Sequence, residues 1–304
     1  MSPFSPLTLR RQRAALADAI LKKGFSPRFI MSKKNKHRPA PWEAGLPLGG
    51  VDSHAHLDMP GAFAGEVPEV LERARKSGLA LVGNVFLGPK AYADNVGLFD
   101  GRAEVFFSLG IHPGDAGESA PDDLAAMERA FRADTRLAAV GEIGLDYYWD
   151  KTPRDVQARV FADQLALAKG LGKPVAIHCR DAYADTRAIL ADQGYRDRPL
   201  VWHCFGGDAA QAGEILAQGW MISIPGPVTY AKNTALRDAV AGIDLSRMLL
   251  ETDCPYLAPE PYRGKQNEPA YLVFTALAVA ELKNLDPDTV WRTTGDNART
   301  FFGV

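Results

Sequence analysis

The chain has 304 residues, of which 46% are hydrophobic and 24% are charged, and its net charge at pH 7 is −2. This composition is typical of a globular protein and excludes a disordered or fibrous chain. No apolar stretch approaches the roughly 18 residues of a membrane span, and no signal-peptide core stands near the N-terminus, so we expect a soluble protein. Three cysteines are too few, and odd in number, for a disulfide framework, which favours a cytoplasmic location.

The first 49 residues differ in charge from the rest of the chain. They contain ten Lys or Arg residues against Asp18 and Glu43, whereas residues 50–304 carry a net charge of −10. Low apolar periodicity and the run MSKKNKHRPAPWEAG predict that residues 1–49 form a basic, flexible N-terminal extension. An arm that contacts phosphate groups is the alternative interpretation, and Met31 is an alternative start of the protein.

Residues 50–304 alternate short apolar runs with helix-like stretches, which is the pattern of parallel βαβ units. Eight runs are predicted as strands, in chain order GGVDSHAHLD, LALVGNV, EVFFSLGIHP, LAAVGEIGLD, PVAIHCR, LVWHCFG, GWMISIPG and RMLLETDCP. The stretches predicted as helices include PEVLERARKSG, APDDLAAMERAFRAD and PRDVQARVFADQLALAKGLG. Eight such repeats predict one α/β domain, a (β/α)8 TIM barrel. An open doubly wound sheet is the alternative, but no glycine-rich phosphate loop follows the first strand.

Histidines and carboxylates recur at or near the ends of the predicted strands. Glu142 and Asp253 do so, together with every histidine except His37, namely His54, His56, His112, His178 and His203. The carboxyl ends of barrel strands form the face on which active sites are built. Alternation along a strand places His54 and His56 on the same side. Imidazoles and carboxylates are ligands of Zn²⁺ and related divalent ions, so the pattern predicts a metal site at this face.

Two further sets of residues adjoin the predicted ligands. Cys179, Cys204 and Cys254 each directly follow one of them, and alternation predicts that they turn toward the helix layer as small buried hydrophobic residues. Asp52 and Asp58 flank the two histidines of VDSHAHLD. They are predicted either to orient imidazole N–H groups or to cap loops.

The sequence resembles the TatD family of metal-dependent deoxyribonucleases, within the amidohydrolase-like barrel hydrolases. The resemblance extends from VDSHAHLD to NARTFFGV. It is carried by GIHP, GEIGLDYY, KPVAIHCRDAYADT, HCFGG, PGPVTY, LLETDCPYLAP and RGKQNEPAYL, in this order. Gly114 and Gly206 depart from the family pattern, which often has a histidine and a serine there, and the basic extension is not part of it.

The resemblance implies two divalent metal ions, Mg²⁺, Mn²⁺ or Zn²⁺, and a third that can bind with substrate. Glu142 would bridge the two ions, and Asp253 would be a ligand that also orients or deprotonates the attacking water, which makes these two the catalytic residues. His112 would lie near the substrate phosphate. The six implied metal ligands are His54, His56, Glu142, His178, His203 and Asp253.

The implied activity is that of a DNase or exonuclease that cleaves phosphodiester bonds with a metal-activated water. The acidic body argues against a groove for long duplex DNA and favours strand ends or single strands. Arg263 is a candidate substrate-binding residue because it supplies positive charge in a mouth loop. Aromatic residues of these loops are predicted either to stack bases or to pack within the loops: Tyr147, Tyr148, Trp149, Tyr256 and Tyr262. No membrane and no obligate protein partner are expected.

Two other functions stay open at this point. The first is hydrolysis of an amide, lactone or phosphotriester on the same barrel. Many such enzymes bridge their metals with a carboxylated lysine, whereas the fourth predicted strand offers Glu142 and no lysine. The second is a non-catalytic nucleic-acid-binding protein, which would have no use for a full set of metal ligands.

Overall fold

The computed structural model describes residues 38–63, 65–149 and 151–304. Its single sheet has eight parallel strands, each beside its neighbours in sequence, in the order β1 to β8. The predicted (β/α)8 barrel and all eight predicted strands are confirmed. The strands are β1 Gly50–Ala55, β2 Leu79–Leu87, β3 Val105–Gly110, β4 Leu137–Asp146, β5 Val175–Arg180, β6 Leu200–Trp202, β7 Met221–Ile224 and β8 Met248–Leu250.

A helix follows each strand, and the last strand is followed by two. The helices are α1 Val67–Lys76, α2 Pro89–Asn95, α3 Asp123–Ala133, α4 Arg154–Leu171, α5 Tyr183–Asp192, α6 Ala209–Leu216, α7 Thr234–Gly242, α8 Leu272–Lys283 and α9 Pro287–Phe302. Helix α4 has the residues that commonly bound a helix, since Pro153 precedes it and Gly172 ends it in the left-handed conformation. Among the described helices, none has the length and apolar character needed to cross a membrane.

The barrel closes between its first and last strands, and the contacts that close it involve predicted site residues. Ala55 forms a parallel bridge with Cys254. The His56 amide donates to the Cys254 carbonyl at 2.8 Å, and the Asp253 amide donates to the His54 carbonyl at 2.9 Å. Main-chain hydrogen bonds therefore fix the first histidine pair relative to the last acidic residue.

Apolar side chains fill the barrel interior at the amino ends of the strands. Phe106 of β3 contacts Phe302 of α9 with their ring centres 4.8 Å apart, and small residues such as Ala138 and Ala176 leave space for these rings. Helix α9 approaches β1 so closely that a Cβ atom on Gly50 would lie 1.9 Å from the Trp291 ring. Helix α9 thus covers this end of the barrel, and the polar side chains lie at the other.

The predicted boundary between extension and barrel falls at residue 50. The described part of the extension contacts the barrel, since the Tyr262 hydroxyl donates to the Pro39 carbonyl and Trp291 Nε1 donates to the Pro47 carbonyl. A 3₁₀ helix, Pro41–Ala44, lies between these contacts. Residues 1–37, which include Met31 and His37, lie outside the described residues. The division into an extension and a barrel domain therefore stays a prediction.

Asp52 is buried at the closure and accepts hydrogen bonds from the Thr252 amide at 2.9 Å and from the Thr252 hydroxyl. Burial raises the pKa of Asp52 to about 8, although the Thr252 hydrogen bonds oppose this. We expect Asp52→Ala to lower the free energy of unfolding by about 1–3 kcal/mol, because it leaves the buried Thr252 amide unpaired. Asp52→Asn should cost less, since an amide can both accept from and donate to Thr252. Urea unfolding followed by circular dichroism measures both.

Asp94 provides the control, because its ion pair with Lys90 is exposed and such pairs contribute little. Asp94→Ala should change the unfolding free energy by less than about 0.5 kcal/mol. Equal stability of the Asp52→Ala and Asp94→Ala proteins would show that the Asp52 contacts do not stabilise the closure.

Candidate metal centre

The two histidines of the first strand point to one place, as their spacing predicts. His54 lies in β1 and His56 follows its end, and their Nε2 atoms are 3.3 Å apart. Both nitrogens face carboxylate oxygens. From His56 Nε2, Glu142 Oε1 is 3.4 Å away and Asp253 Oδ1 is 3.5 Å away. The corresponding distances from His54 Nε2 are 3.8 and 3.9 Å.

The Glu142 side chain divides its two oxygens between two pairs of imidazoles. Oε1 faces His54 and His56, as described above, whereas Oε2 lies 3.0 Å from His178 Nδ1 and 3.2 Å from His203 Nε2. Glu142 lies within β4, four residues before its end, and is buried. Two groups of possible metal donors therefore share this carboxylate, one with His54 and His56 and one with His178 and His203.

Asp253 joins the first group from the other side of the barrel closure. It follows β8 and has a φ of 55°, a left-handed conformation that is uncommon outside glycine and locally unfavourable. Its side chain is 15% exposed, whereas that of Glu142 is 5% exposed. Asp253 is thus the more accessible of the two predicted catalytic carboxylates.

Three of the imidazoles have one ring nitrogen occupied by an acceptor outside the cluster. His56 Nδ1 lies 3.2 Å from the Val85 carbonyl, and His203 Nδ1 lies 3.1 Å from Glu251 Oε2. His178 Nε2 lies 3.0 Å from Asp146 Oδ2. These acceptor oxygens can pair only with an N–H group, so the nitrogen that faces them carries the ring proton. In a neutral ring the second nitrogen then has a lone pair, which points into the cluster.

These lone pairs face carboxylate oxygens, which is repulsive unless positive charge lies between them. His203 Nε2 and His178 Nδ1 both face Glu142 Oε2, and His56 Nε2 faces Glu142 Oε1 and Asp253 Oδ1. Protons on the rings or divalent cations would supply that charge. Neutral imidazoles and carboxylates are the preferred donors of Zn²⁺ and similar ions, so the residues fit a metal centre.

The pKa shifts indicate the same demand for positive charge. Burial works to lower the pKa of His178, but hydrogen bonds to Asp146 and Glu142 raise it to about 8. In His203 the effect of burial is outweighed by Glu251 and Glu142, which hold the pKa well above its usual value. Burial works to raise the pKa of Glu142, but the neighbouring histidines hold it well below its usual range. Glu142 is therefore ionised.

Asp146 and Glu251 are functional candidates that the sequence reasoning missed. Asp146 contacts His178, and its pKa is lowered to about 2 because hydrogen bonds, first from His178, outweigh the effect of burial. Glu251 is fully buried and contacts His203 while accepting from the Cys204 amide at 2.6 Å. The sequence contains a signal for both acids. Asp146 lies in the same strand run as Glu142, in GEIGLD, and Glu251 lies two residues before Asp253, in ETD.

Of the two predicted substrate-binding residues, His112 lies beside the cluster and Arg263 lies outside it. The His112 ring lies 4.5 Å from the His178 ring, centre to centre, and His112 Nδ1 accepts from the Gly114 amide at 3.0 Å. Burial lowers the pKa of His112 to about 4, so the neutral ring carries its proton on Nε2. Arg263 lies outside the cluster, with its guanidinium 4.2 Å from the centre of the Tyr230 ring.

One cysteine prediction is wrong. Cys254 is fully buried, and Cys179 is half-buried and accepts from Thr186 of α5, as expected for small residues that face the helices. Cys204 instead has its Sγ 3.9 Å from Asp253 Oδ2 and belongs to a group of possible metal donors with His203 and Asp253. Strand alternation does not apply to Cys204, because β6 ends at Trp202 and Cys204 has a φ of 47°.

The two aspartates of the first motif do not orient an imidazole. Asp52 accepts from the main chain of His54 and from Thr252, as described above. Asp58 accepts from the side-chain amides of Asn84 and Asn95 at 3.0 and 3.3 Å. Asp58 therefore stabilises its loop, the second of the two predicted roles, whereas Asp52 stabilises the barrel closure, which neither predicted role describes.

Comparison with known proteins identifies the family. Residues 51–303 match the family described as TatD related DNase. YabD of Bacillus subtilis (strain 168), an uncharacterized metal-dependent hydrolase, is 36% identical over 253 residues, which cover 83% of this chain and 98% of YabD. YcfH of Escherichia coli (strain K12), also an uncharacterized metal-dependent hydrolase, is 37% identical over 256 residues, 84% of this chain and 96% of YcfH. The crystal structure of YJJV, a TatD homolog from Escherichia coli K12, has a TM-score of 0.78 at 28% identity and covers 84% of this chain and 98% of its own. The chain belongs to the TatD family of metal-dependent hydrolases.

Proposed function

We propose that this hydrolase is a DNase that removes nucleotides from strand ends or single strands and depends on two divalent metal ions. The observation that carries the proposal is the division of the Glu142 oxygens between two imidazole pairs, which suits a carboxylate that bridges two ions. The match to TatD related DNase supports the substrate class. Relatives named metal-dependent hydrolases support the reaction class.

The residues that would hold the ions form two sets. His54, His56 and Asp253 would hold one, His178 and His203 the other, and Glu142 would serve both. When bound, Mg²⁺, Mn²⁺ or Zn²⁺ ions would lower the pKa of water and offset the charge that builds on the phosphoryl oxygens. An additional ion that binds with substrate would need donors other than His112 and Asp146, because Asp146 is paired with His178 Nε2 and His112 Nδ1 accepts from the Gly114 amide.

The remaining chemistry falls to the protein's own side chains. Asp253 would act as the general base, because it is ionised and is the more accessible cluster carboxylate. Burial works to raise its pKa, but the neighbouring imidazoles of His56 and His203 lower it. His112, with its proton on Nε2, would donate a hydrogen bond to a phosphoryl oxygen. Glu251 and Asp146 would keep the rings of His203 and His178 oriented.

Metal binding tests the proposed ligands directly. Titration of chelator-treated protein with Mn²⁺ in a calorimeter should show two equivalents in the wild type. Glu142→Gln should lose binding at one or both sites, since an amide offers a single weak donor oxygen. Glu251→Gln should lower the affinity by about 10- to 100-fold, because it loosens the orientation of His203.

Glu128→Gln is the matched control, since Glu128 forms an exposed ion pair with Arg132 on α3. It should bind Mn²⁺ as the wild type does. Unchanged binding in both Glu142→Gln and Glu251→Gln would contradict the proposed centre.

Asp253→Asn tests the general base. Removing this proton acceptor should lower kcat on a single-stranded oligonucleotide by about 10²- to 10⁴-fold, the usual contribution of such a group. Steady-state kinetics measures the loss, circular dichroism checks that the fold is retained, and the Mn²⁺ titration checks that both ions still bind. A variant that retains kcat would exclude Asp253 as the base.

The substrate class is tested with end-labelled single-stranded and duplex DNA, RNA, and ester, lactam and phosphotriester compounds, each with Mg²⁺, Mn²⁺ or Zn²⁺. We expect nucleotide release from DNA that ends in, or consists of, a single strand. Turnover of another compound without nucleotide release under any of the three metals would favour a barrel hydrolase of a different bond. Binding of DNA without turnover of any compound would favour a non-catalytic binding protein.

A further inference from the structure

Two large aromatic side chains stand exposed at the mouth of the barrel, directly after β4. The Tyr148 side chain is 54% exposed and that of Trp149 is 59% exposed. Their rings are roughly perpendicular to each other, with centres 5.1 Å apart. The guanidinium of Arg180 lies 3.9 Å from the centre of the Tyr148 ring and 5.6 Å from that of Trp149. Tyr148, Trp149 and Arg180 form what we call the aromatic platform.

The Asp146 side chain contacts both the aromatic platform and the candidate metal centre. Asp146 Oδ2 contacts His178 Nε2 at 3.0 Å, and Asp146 Oδ1 accepts from the amides of Tyr148 and Trp149 at 2.9 and 3.1 Å. Arg180 is the last residue of β5, two residues after His178, and it lies opposite Asp146 of β4 in the sheet. The same carboxylate thus fixes the position of a proposed metal ligand and that of the two exposed rings.

Loop packing accounts for the rings of Tyr147 and Tyr262 but not for those of Tyr148 and Trp149. Tyr256 is also 53% exposed, and its hydroxyl lies 3.8 Å from Met59 Sδ. The Tyr147 hydroxyl donates to Asp185 at 2.7 Å, and Arg154 covers the Tyr147 ring at 4.0 Å. The Tyr262 ring stacks on Tyr271 at 4.0 Å. The rings of Tyr148 and Trp149, in contrast, leave more than half of their surface open to a ligand.

The chemistry of the aromatic platform suits a nucleobase next to a phosphate. An exposed ring stacks on the face of any base, and a guanidinium provides both a planar stacking surface and a donor for phosphate oxygens. A base can reach such a surface only when it is unpaired, as at a strand end or in a single strand. We propose that the aromatic platform stacks one unpaired base of the substrate while the adjoining phosphate enters the metal centre. This inference rests on the proposed DNase function and specifies how a strand end is selected.

The test compares a single-stranded oligonucleotide with one of equal length that carries abasic residues in place of nucleotides. The wild type should cleave the first with the higher kcat/KM. The double variant Tyr148→Ala, Trp149→Ala should lose about 10- to 100-fold in kcat/KM on the base-bearing oligonucleotide, the usual effect of one lost stacking contact. Its kcat/KM on the abasic oligonucleotide should stay close to that of the wild type, because no base is present to stack.

Two variants control for loss of an exposed ring. Trp42→Ala removes an indole that is also partly exposed and lies against a cation, with Lys76 Nζ 3.8 Å from its centre, at the end of α1. It should leave kcat/KM unchanged on both oligonucleotides, and Trp149→Phe should retain most of the activity. An equal loss by the double variant on both oligonucleotides, or no loss on either, would overturn the proposed stacking.

A measurement without turnover separates this inference from the proposed function. A 2-aminopurine base in the oligonucleotide loses fluorescence when it stacks on an aromatic ring. The metal-loaded Asp253→Asn protein should quench this fluorescence, and the same protein lacking the two rings should not. Equal quenching by both proteins, or quenching by neither, would overturn the aromatic platform. Failure of the wild type to cleave any oligonucleotide would instead overturn the DNase function.

Discussion

The structure of the site depends on the carboxylate of Glu142. Its oxygens face four imidazoles, His54 and His56 on one side and His178 and His203 on the other. Asp253 also faces His54 and His56, but among the described residues Glu142 is the carboxylate that faces both imidazole pairs, so its loss would leave the two pairs without a shared acceptor. The position of this one side chain on β4 therefore determines whether there is one centre or two unrelated clusters.

The barrel holds Glu142 in place by dividing its interior into an apolar and a polar part. Phe106, Phe302 and small residues fill the space at the amino ends of the strands. The carboxyl ends carry the buried polar groups, each with partners, such as Asp52 with Thr252 and His203 with Glu251. Burying so many ionisable groups is unfavourable unless they are paired or bind ions. We infer that the metal ions stabilise the folded protein as well as taking part in its chemistry.

Periodic patterns in the sequence predict both the fold and the set of side chains that the structure brings together. Eight apolar runs with helical spacers specify the barrel, and strand alternation places His54 and His56 together. Alternation failed where the strands end. Cys204 has a left-handed conformation just beyond β6, and its thiol therefore turns toward Asp253 instead of the helices. Charge alone indicates Arg263 as a substrate-binding residue, and the structure places its guanidinium over the Tyr230 ring, outside the cluster.

The acids that orient the imidazoles have only a weak signal in the sequence, their place beside a predicted ligand in GEIGLD and in ETD, and they alter the charge of the centre. With Glu142 and Asp253 only, two dications would leave an excess of positive charge for an anionic substrate. Asp146 and Glu251 bring the number of carboxylates in or against the centre to four, which balances two dications. Attraction for a phosphate must then come from groups outside the cluster. Arg180 is an exposed cation beside Asp146 and the aromatic rings. It would supply this charge at the place where we propose that an unpaired base stacks, so base recognition and charge attraction would reside side by side at the ends of β4 and β5.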